Sequence, residues 1–244
     1  MIRFFLGNGS DEVLALTFLT CFNGQNPIFF PDITYSFYPV YCELFNIDYK
    51  TVALDDAFKI KKEDYFNKNG GIIFPNPNAP TGVYMPLDQV EEILKANQDV
   101  VVIVDEAYVD FAGPSALELL DKYENLLVVQ TFSKSRSMAG MRIGFAMGHP
   151  DLIRALNDVK YSYNSYTMNL PSLLAGVEAV KDKEYFEKTI EKIVATREHA
   201  KKRLTELGFT SQFPVKFIFA SHKSVPAEKI FEVIEERTDL CALF

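Results

Sequence analysis

Four polar clusters in this chain carry side chains able to do chemistry: Gly7-Asn8-Gly9-Ser10, Asp105-Glu106-Ala107-Tyr108, Thr131-Phe132-Ser133-Lys134, and Arg142 a little further on. Singly, each has a plain explanation. Glycine-rich turns are common, an acid can simply end a strand in solvent, and loop lysines and arginines are mostly exposed. Together they have complementary chemistry. A Gly-rich turn opening a helix offers free backbone N–H groups and the positive end of a dipole, an anion cradle. A lysine amine titrates near ~10.4 when free, so a nucleophilic one must lie where its neutral or imine form is favoured. A planar guanidinium suits a phosphate bidentately. A Schiff-base lysine, an acid opposite a ring nitrogen and a phosphate grip are what pyridoxal phosphate requires.

Such residues must be placed by strand ends, because in open α/β sheets ligands sit beyond the carboxyl ends of the strands. Short β-rich segments alternate with helical ones, the pattern of an α/β layer with a largely parallel sheet. About seven strands are expected: Ile2–Leu6, Pro27–Phe30, Tyr49–Ala53, Gly71–Phe74, Val100–Val104, Leu126–Gln130 and Ile143–Met147. Runs such as Val-Val-Val-Ile-Val are continuously apolar, as strands covered on both faces should be. A helix is expected over Asp11–Phe22 with Ser10 as N-cap, and another over Leu87–Ala96 entered through Pro86. Beyond Met147 come helices at Pro150–Asp158, Ser172–Val180 and Lys183–Leu207, the last stopping at Gly208. A strand at Val215–Ala220 and a helix at Ala227–Glu236 follow. The expected division is a large domain over residues 1–181 and a small, partial α+β domain over 182–244.

Composition bounds the partners. With 48% hydrophobic and 24% charged residues in 244, this is a globular chain with material for a sizeable core. A net charge of −8 argues against a nucleic-acid or anionic-membrane surface, and no apolar run nears the roughly 18 residues of a membrane span. The start is too short in its apolar part for a signal peptide. Cys21, Cys42 and Cys241 are scattered, and His149, His199 and His222 lack ligand spacing, so neither a disulfide framework nor a metal site is expected, and a cytoplasmic location is.

The runs Gly7-Asn-Gly-Ser-Asp-Glu, Pro75-Asn-Pro-Asn-Ala-Pro-Thr-Gly82, Val104-Asp-Glu-Ala-Tyr108 and Thr131-Phe-Ser-Lys-Ser-Arg-Ser-Met-Ala-Gly-Met-Arg-Ile-Gly144 resemble those of fold-type I aminotransferases, and most closely those of the histidinol-phosphate aminotransferases. The resemblance covers nearly the whole chain, in order and spacing. It implies a fold-type I transferase, α/β, acting on small amino and keto substrates as a homodimer. It implies that Lys134 forms the Schiff base and shuttles the proton at substrate Cα. Asp105 would keep the pyridine nitrogen protonated, and Tyr108 would bond the ring 3′-oxygen. Tyr35 would stack on the ring, although a core aromatic is the alternative. The backbone N–H groups of Ser10 and Asp11, the Ser133 hydroxyl and Arg142 would hold the phosphate. Many relatives place asparagine directly before Pro-Thr-Gly; here Ala79 stands there, and Asn78 is the candidate for the 3′-oxygen.

Against the family pattern, the chain reads as truncated at both ends, lacking an N-terminal arm, and its substrate-carboxylate arginine falls at Ala242. Loss of that clamp would cost the orientation that converts binding into rate. Three readings therefore stand: a transaminase of histidinol phosphate and 2-oxoglutarate, a pyridoxal-phosphate decarboxylase of a phosphorylated amino acid, and a non-catalytic cofactor-binding remnant. A dinucleotide fold is disfavoured, since Glu12 occupies the place of the last glycine in Gly-x-Gly-x-x-Gly.

Overall fold

The computed structural model describes residues 3–212 and 215–237. In chain order its elements are β1 (Phe4–Asn8), α1 (Ser10–Cys21), β2 (Ile28–Pro31), α2 (Phe37–Phe45), β3 (Tyr49–Val52), β4 (Ile72–Pro75), α3 (Leu87–Ala96), β5 (Val102–Asp105), β6 (Leu126–Thr131) and β7 (Ile143–Gly148). Then come α4 (Pro150–Tyr163), α5 (Leu170–Lys181), α6 (Lys183–Glu206), β8 (Phe209–Gln212), β9 (Phe219–His222) and α7 (Ala227–Arg237).

The first seven strands form one sheet in the order β1-β7-β6-β5-β4-β2-β3. Strands β3, β2, β4, β5 and β6 pair in parallel, whereas β7 runs antiparallel to both β6 and β1. The start of β7 therefore lies on the same edge as the carboxyl ends of β1, β5 and β6, which puts Arg142 beside the ends of strands it opposes. Along β5 and β6 the side chains alternate between two cores. Ile103, Leu127 and Val129 pack with α1, α2 and α4, while Val102, Val104, Leu126 and Val128 pack with α3 on the other face. This two-sided burial explains the unbroken apolar runs. A second, two-stranded antiparallel sheet, β8–β9, packs on α6.

Several expectations need correction. Ser10 is not the N-cap: Gly9, at φ 85°, turns the chain one residue earlier, and α1 has no side-chain cap. Helix α2 was not legible, because Phe37-Tyr-Pro-Val-Tyr-Cys-Glu-Leu-Phe45 is rich in strand formers; burial of Tyr38, Tyr41 and Cys42 on one face decides for the helix, and Pro39 sits harmlessly in its first turn. The strand expected at Val215–Ala220 is Phe219–His222, paired with the unforeseen Phe209–Gln212. Before it, Phe217 packs edge-on against Tyr108 at 5.1 Å and Arg197 bonds the Val215 carbonyl, so this stretch is held by other partners than a ladder. Ile2 and the run 239–244, with Ala242, lie outside the described residues.

Ile103 is fully buried at the centre of the sheet. Ile103→Ala is expected to lower stability by roughly 2–5 kcal/mol, the usual cost of a core cavity. The urea midpoint measures it; a change under about 0.5 kcal/mol would show that β5 is not central to the core.

Candidate functional site

The carboxyl ends of β1, β5 and β6 and the start of β7 surround a cavity of about 200 Å³. Every candidate position except Asn78 lines it. Lys134 enters from the loop after β6, and its Nζ lies 5.3 Å from the centre of the Tyr108 ring. Asp105 is the last residue of β5, Tyr35 precedes α2, and Ser10 and Asp11 open α1. Ser133 is fixed by Thr131, whose Oγ1 donates to the Ser133 hydroxyl at 3.0 Å and accepts from its N–H at 3.1 Å.

The anion cradle depends on close backbone approach. Gly9 is in the left-handed region, and a Cβ there would come within 2.3 Å of the Arg142 guanidinium; one on Gly144 would lie 2.2 Å from the Gly9 carbonyl carbon. Arg142 itself adopts φ 52°, unusual for a side-chain-bearing residue and typical of constrained functional positions. That conformation aims its guanidinium at the first turn of α1, where the N–H groups have no intrahelical acceptors. Its Nη2 meets Asp11 Oδ2 at 3.3 Å, and Tyr35 donates to Asp11 Oδ1 at 2.8 Å. The Asp11 carboxylate thus ties the guanidinium and the stacking candidate together.

Asp105 is buried, and loss of water pushes its carboxyl up to about 6, even though Tyr38, the Ala107 N–H and Lys134 favour the charged form. A buried acid in this condition is suited to a cationic partner in the cavity. Next to it Glu106, also raised to about 7 by burial, points away from the cavity. It accepts from the Ser115 hydroxyl at 2.5 Å, the Ala116 N–H at 2.6 Å and Gln130 Nε2 at 2.8 Å, joining the ends of β5 and β6.

Asn78 stands beside the cavity and does not line it. Its Nδ2 donates to the Ile33 carbonyl at 2.8 Å and Thr81 Oγ1 at 3.0 Å, and its Oδ1 accepts from Thr34 at 3.1 Å. The amide is consumed in fixing its own loop to the segment before α2, and Ala79 lines the cavity instead. Sequence reasoning also missed two roles, Tyr38 as the hydroxyl bonded to Asp105 and Glu106 as the strand-end clamp. The one available signal was the Tyr35–Tyr38 spacing, which places two aromatics on one side of a helical turn.

A buried acid and a lysine share one cavity with the start of α1 and Arg142 at the carboxyl edge of a mostly parallel sheet, an α/β arrangement. The chain belongs to the class I and II aminotransferase family, whose model matches residues 3–236. Members of that family depend on pyridoxal phosphate. The chain is 51% identical over 95% of its length to a histidinol-phosphate aminotransferase of Lactococcus lactis subsp. cremoris, and spans 65% of that relative. It is 53% identical over 96% of its length to histidinol-phosphate aminotransferase 2 of Dechloromonas aromatica, spanning 66% of it. The chain therefore covers a little less than two thirds of these curated relatives. Among solved structures, the fold matches the histidinol-phosphate aminotransferase of Clostridium acetobutylicum with a TM-score of 0.88 over 97% of this chain and 72% of that one, at 22% identity. The Sinorhizobium meliloti enzyme in complex with pyridoxal-5′-phosphate matches with 0.80 over 89% and 60%, at 21% identity.

Because burial raises Glu106 from 4.5 to about 7, the folded chain binds more protons than the unfolded one between those values. Stability contributed by this group is thus greatest below pH 4.5 and falls as pH rises through about 7, by an amount on the order of 2–3 kcal/mol. Glu106→Gln is expected to flatten that part of the pH–stability curve. Urea unfolding of both proteins from pH 5 to 8 checks it, and parallel curves would contradict the burial argument.

Proposed function

We propose that the cavity holds pyridoxal phosphate and that the chain is an aminotransferase moving an amino group between histidinol phosphate and 2-oxoglutarate. The observation that carries this reading is the convergence of Lys134, Asp105 and Arg142 on one cavity from three different strand ends. The residues fit the cofactor: a lysine amine, an acid deprived of water, and a guanidinium beside free helix N–H groups match an aldehyde, a ring nitrogen and a phosphate. Bound there, the cofactor supplies an electron sink for the pair released when a bond at substrate Cα breaks.

The chain's own groups do the rest. Lys134 would anchor the cofactor, and its amine would be the base that moves the proton at substrate Cα. Asp105, as a carboxylate, would pair with the ring nitrogen and keep it protonated. Tyr108, whose ring centre lies 5.3 Å from Lys134 Nζ, would bond the ring 3′-oxygen. Tyr35 supplies an aromatic face whose tilt is set by Phe37, stacked on it at 5.7 Å, and by the bond to Asp11. Arg142, Ser133 and the N–H groups of Ser10 and Asp11 would hold the phosphate. The high identity to relatives named histidinol-phosphate aminotransferases supports the substrate. Residues 1–181 would form the cofactor-binding domain and 182–244 the smaller one.

A homodimer is part of the same proposal. Tyr163 and Tyr166, 80% and 93% exposed, are followed by the exposed Leu170, Leu174 and Val177 on α5, a run of apolar surface. Such a run is a partner surface, and a two-fold copy of this chain suits it. No helix among the described residues is long and apolar enough to cross a membrane; free thiols at Cys21 and Cys42 suit a reducing, cytoplasmic setting.

Borohydride reduction of the protein with pyridoxal phosphate should place a pyridoxyl group on Lys134, and Lys134→Ala should lose the near-visible band and roughly a hundred- to ten-thousand-fold in turnover. Formation of the keto product without carbon dioxide separates transamination from decarboxylation. Labelling scattered over surface lysines would overturn the cofactor assignment. Leu174→Asp should shift the mass in analytical ultracentrifugation from two copies to one; an unchanged mass would remove α5 from the interface.

A further inference from the structure

Tyr38 does not line the cavity, yet its hydroxyl donates to Asp105 Oδ2 at 2.9 Å, and among the described residues it makes the one side-chain hydrogen bond to that carboxylate. The other oxygen, Oδ1, accepts from the Ala107 N–H at 3.2 Å. The phenol has no freedom to point elsewhere. Its ring is fully buried, with Phe18 at 6.0 Å, Phe30 edge-on at 5.8 Å and Tyr35 edge-on at 5.6 Å.

We propose that Tyr38 is a positioning residue: it orients Asp105 toward the cavity and keeps its carboxylate ionised for a cationic ring nitrogen. The inference rests on the pyridoxal-phosphate reading of the cavity and deepens it. Its basis is the set of groups facing Asp105. From α2 come Tyr38 and Tyr41, and from the segment before it Tyr35, all phenols held protonated by burial and by neighbouring acids. From α1 comes Asp11, a like charge that opposes ionisation, and from the loop after β6 comes Lys134, which favours it. Tyr108 and Arg142 share the cavity. Of the three phenols, the hydroxyls of Tyr35 and Tyr41 are spent on Asp11, the latter on its carbonyl at 3.3 Å. Tyr38 alone of them gives its proton to Asp105. Since it is a donor whose own proton is not lost at working pH, it opposes the desolvation of Asp105 in every state of the cavity. With one oxygen held by Tyr38 and the other by a backbone N–H, each keeps a lone pair for a ligand.

Tyr38→Phe removes only the hydroxyl. In the cofactor-free protein, a carbon-13 titration of the Asp105 carboxyl should move its midpoint upward by roughly one pH unit in the variant. Pyridoxal phosphate should bind about fivefold more weakly near pH 6, approaching tenfold at lower pH and with the difference shrinking toward pH 8, as expected for a one-unit rise in the carboxyl midpoint. Borohydride labelling should still fall on Lys134, and near-UV circular dichroism should match the parent. Coincident titrations and coincident affinity profiles would overturn the proposal. Failure of the parent to bind the cofactor at Lys134 would instead defeat the functional reading, and the cofactor-free titration would still decide Tyr38. Should the variant unfold, the parent supplies the test. Its Tyr38 hydroxyl proton should resonate at low field and shift as Asp105 titrates, and a resonance indifferent to that midpoint would overturn the proposal.

Discussion

A carboxylate kept out of water at the end of the central strand β5 sets the terms for the whole site. A buried charge without partners would simply take up a proton, so the surrounding structure has to supply donors and a cation. Tyr38 reaches Asp105 from α2, the Ala107 N–H closes the turn after β5, and Lys134 adds positive charge from the loop after β6. Each comes from a different segment, so the acid can be held only if β5, β6 and α2 are already in register. Packing the sheet and preparing the site are therefore one requirement.

The same economy of placement governs the side of the cavity formed by β1, β7 and α1. The antiparallel run of β7 brings Arg142 to the edge where β1 and β6 end. Glycines at 9 and 144 let the two backbones meet at distances that no side chain would allow. The left-handed turn at Arg142 then directs the guanidinium across Gly9 to the start of α1, where Asp11 holds it. An anion arriving there meets a helix terminus and a fixed cation, both already in place, which reduces the ordering cost of binding. Behind the site, Glu106 ties Ser115, Ala116 and Gln130 together, so the loops bearing Tyr108 and Lys134 hang from a common anchor.

The segments beyond α5 are coupled to this frame through few but specific contacts. Arg197 on α6 reaches the carbonyl of Phe111, near the Tyr108 turn, and Phe217 packs on Tyr108 itself. Arg136, two residues after Lys134, bonds the Ala179 carbonyl and lies over the Phe186 ring at 4.2 Å. The lysine loop is thus gripped from α5 and α6 as well as from the sheet, so motion of those helices would be felt at Lys134.

Much of this was legible in the chain alone. The apolar runs around Ile103 and Val128 announce strands covered on both faces, since only a doubly buried strand can be apolar at every position. The polar clusters that follow them fall at strand ends for the same reason, and the motifs at Gly7, Asp105, Lys134 and Arg142 carry local chemistry that needs no distant partner to be recognised. What the tertiary structure alone decided concerns residues whose meaning lies in long-range contact. Helix α2 exists because Tyr38, Tyr41 and Cys42 find a core, against the preference of its residues. Tyr38 finds Asp105 across 67 positions of sequence. Asn78 is drawn away from the cavity by Thr34 and Ile33, 44 and 45 positions away. Val215–Phe217 lie outside the strand, where Arg197 meets the Val215 carbonyl and Phe217 packs on Tyr108. Hydrophobic period and turn chemistry are local and survive in the one-dimensional chain. Which donor reaches which acceptor depends on how the layers stack, and a linear sequence does not express that distance.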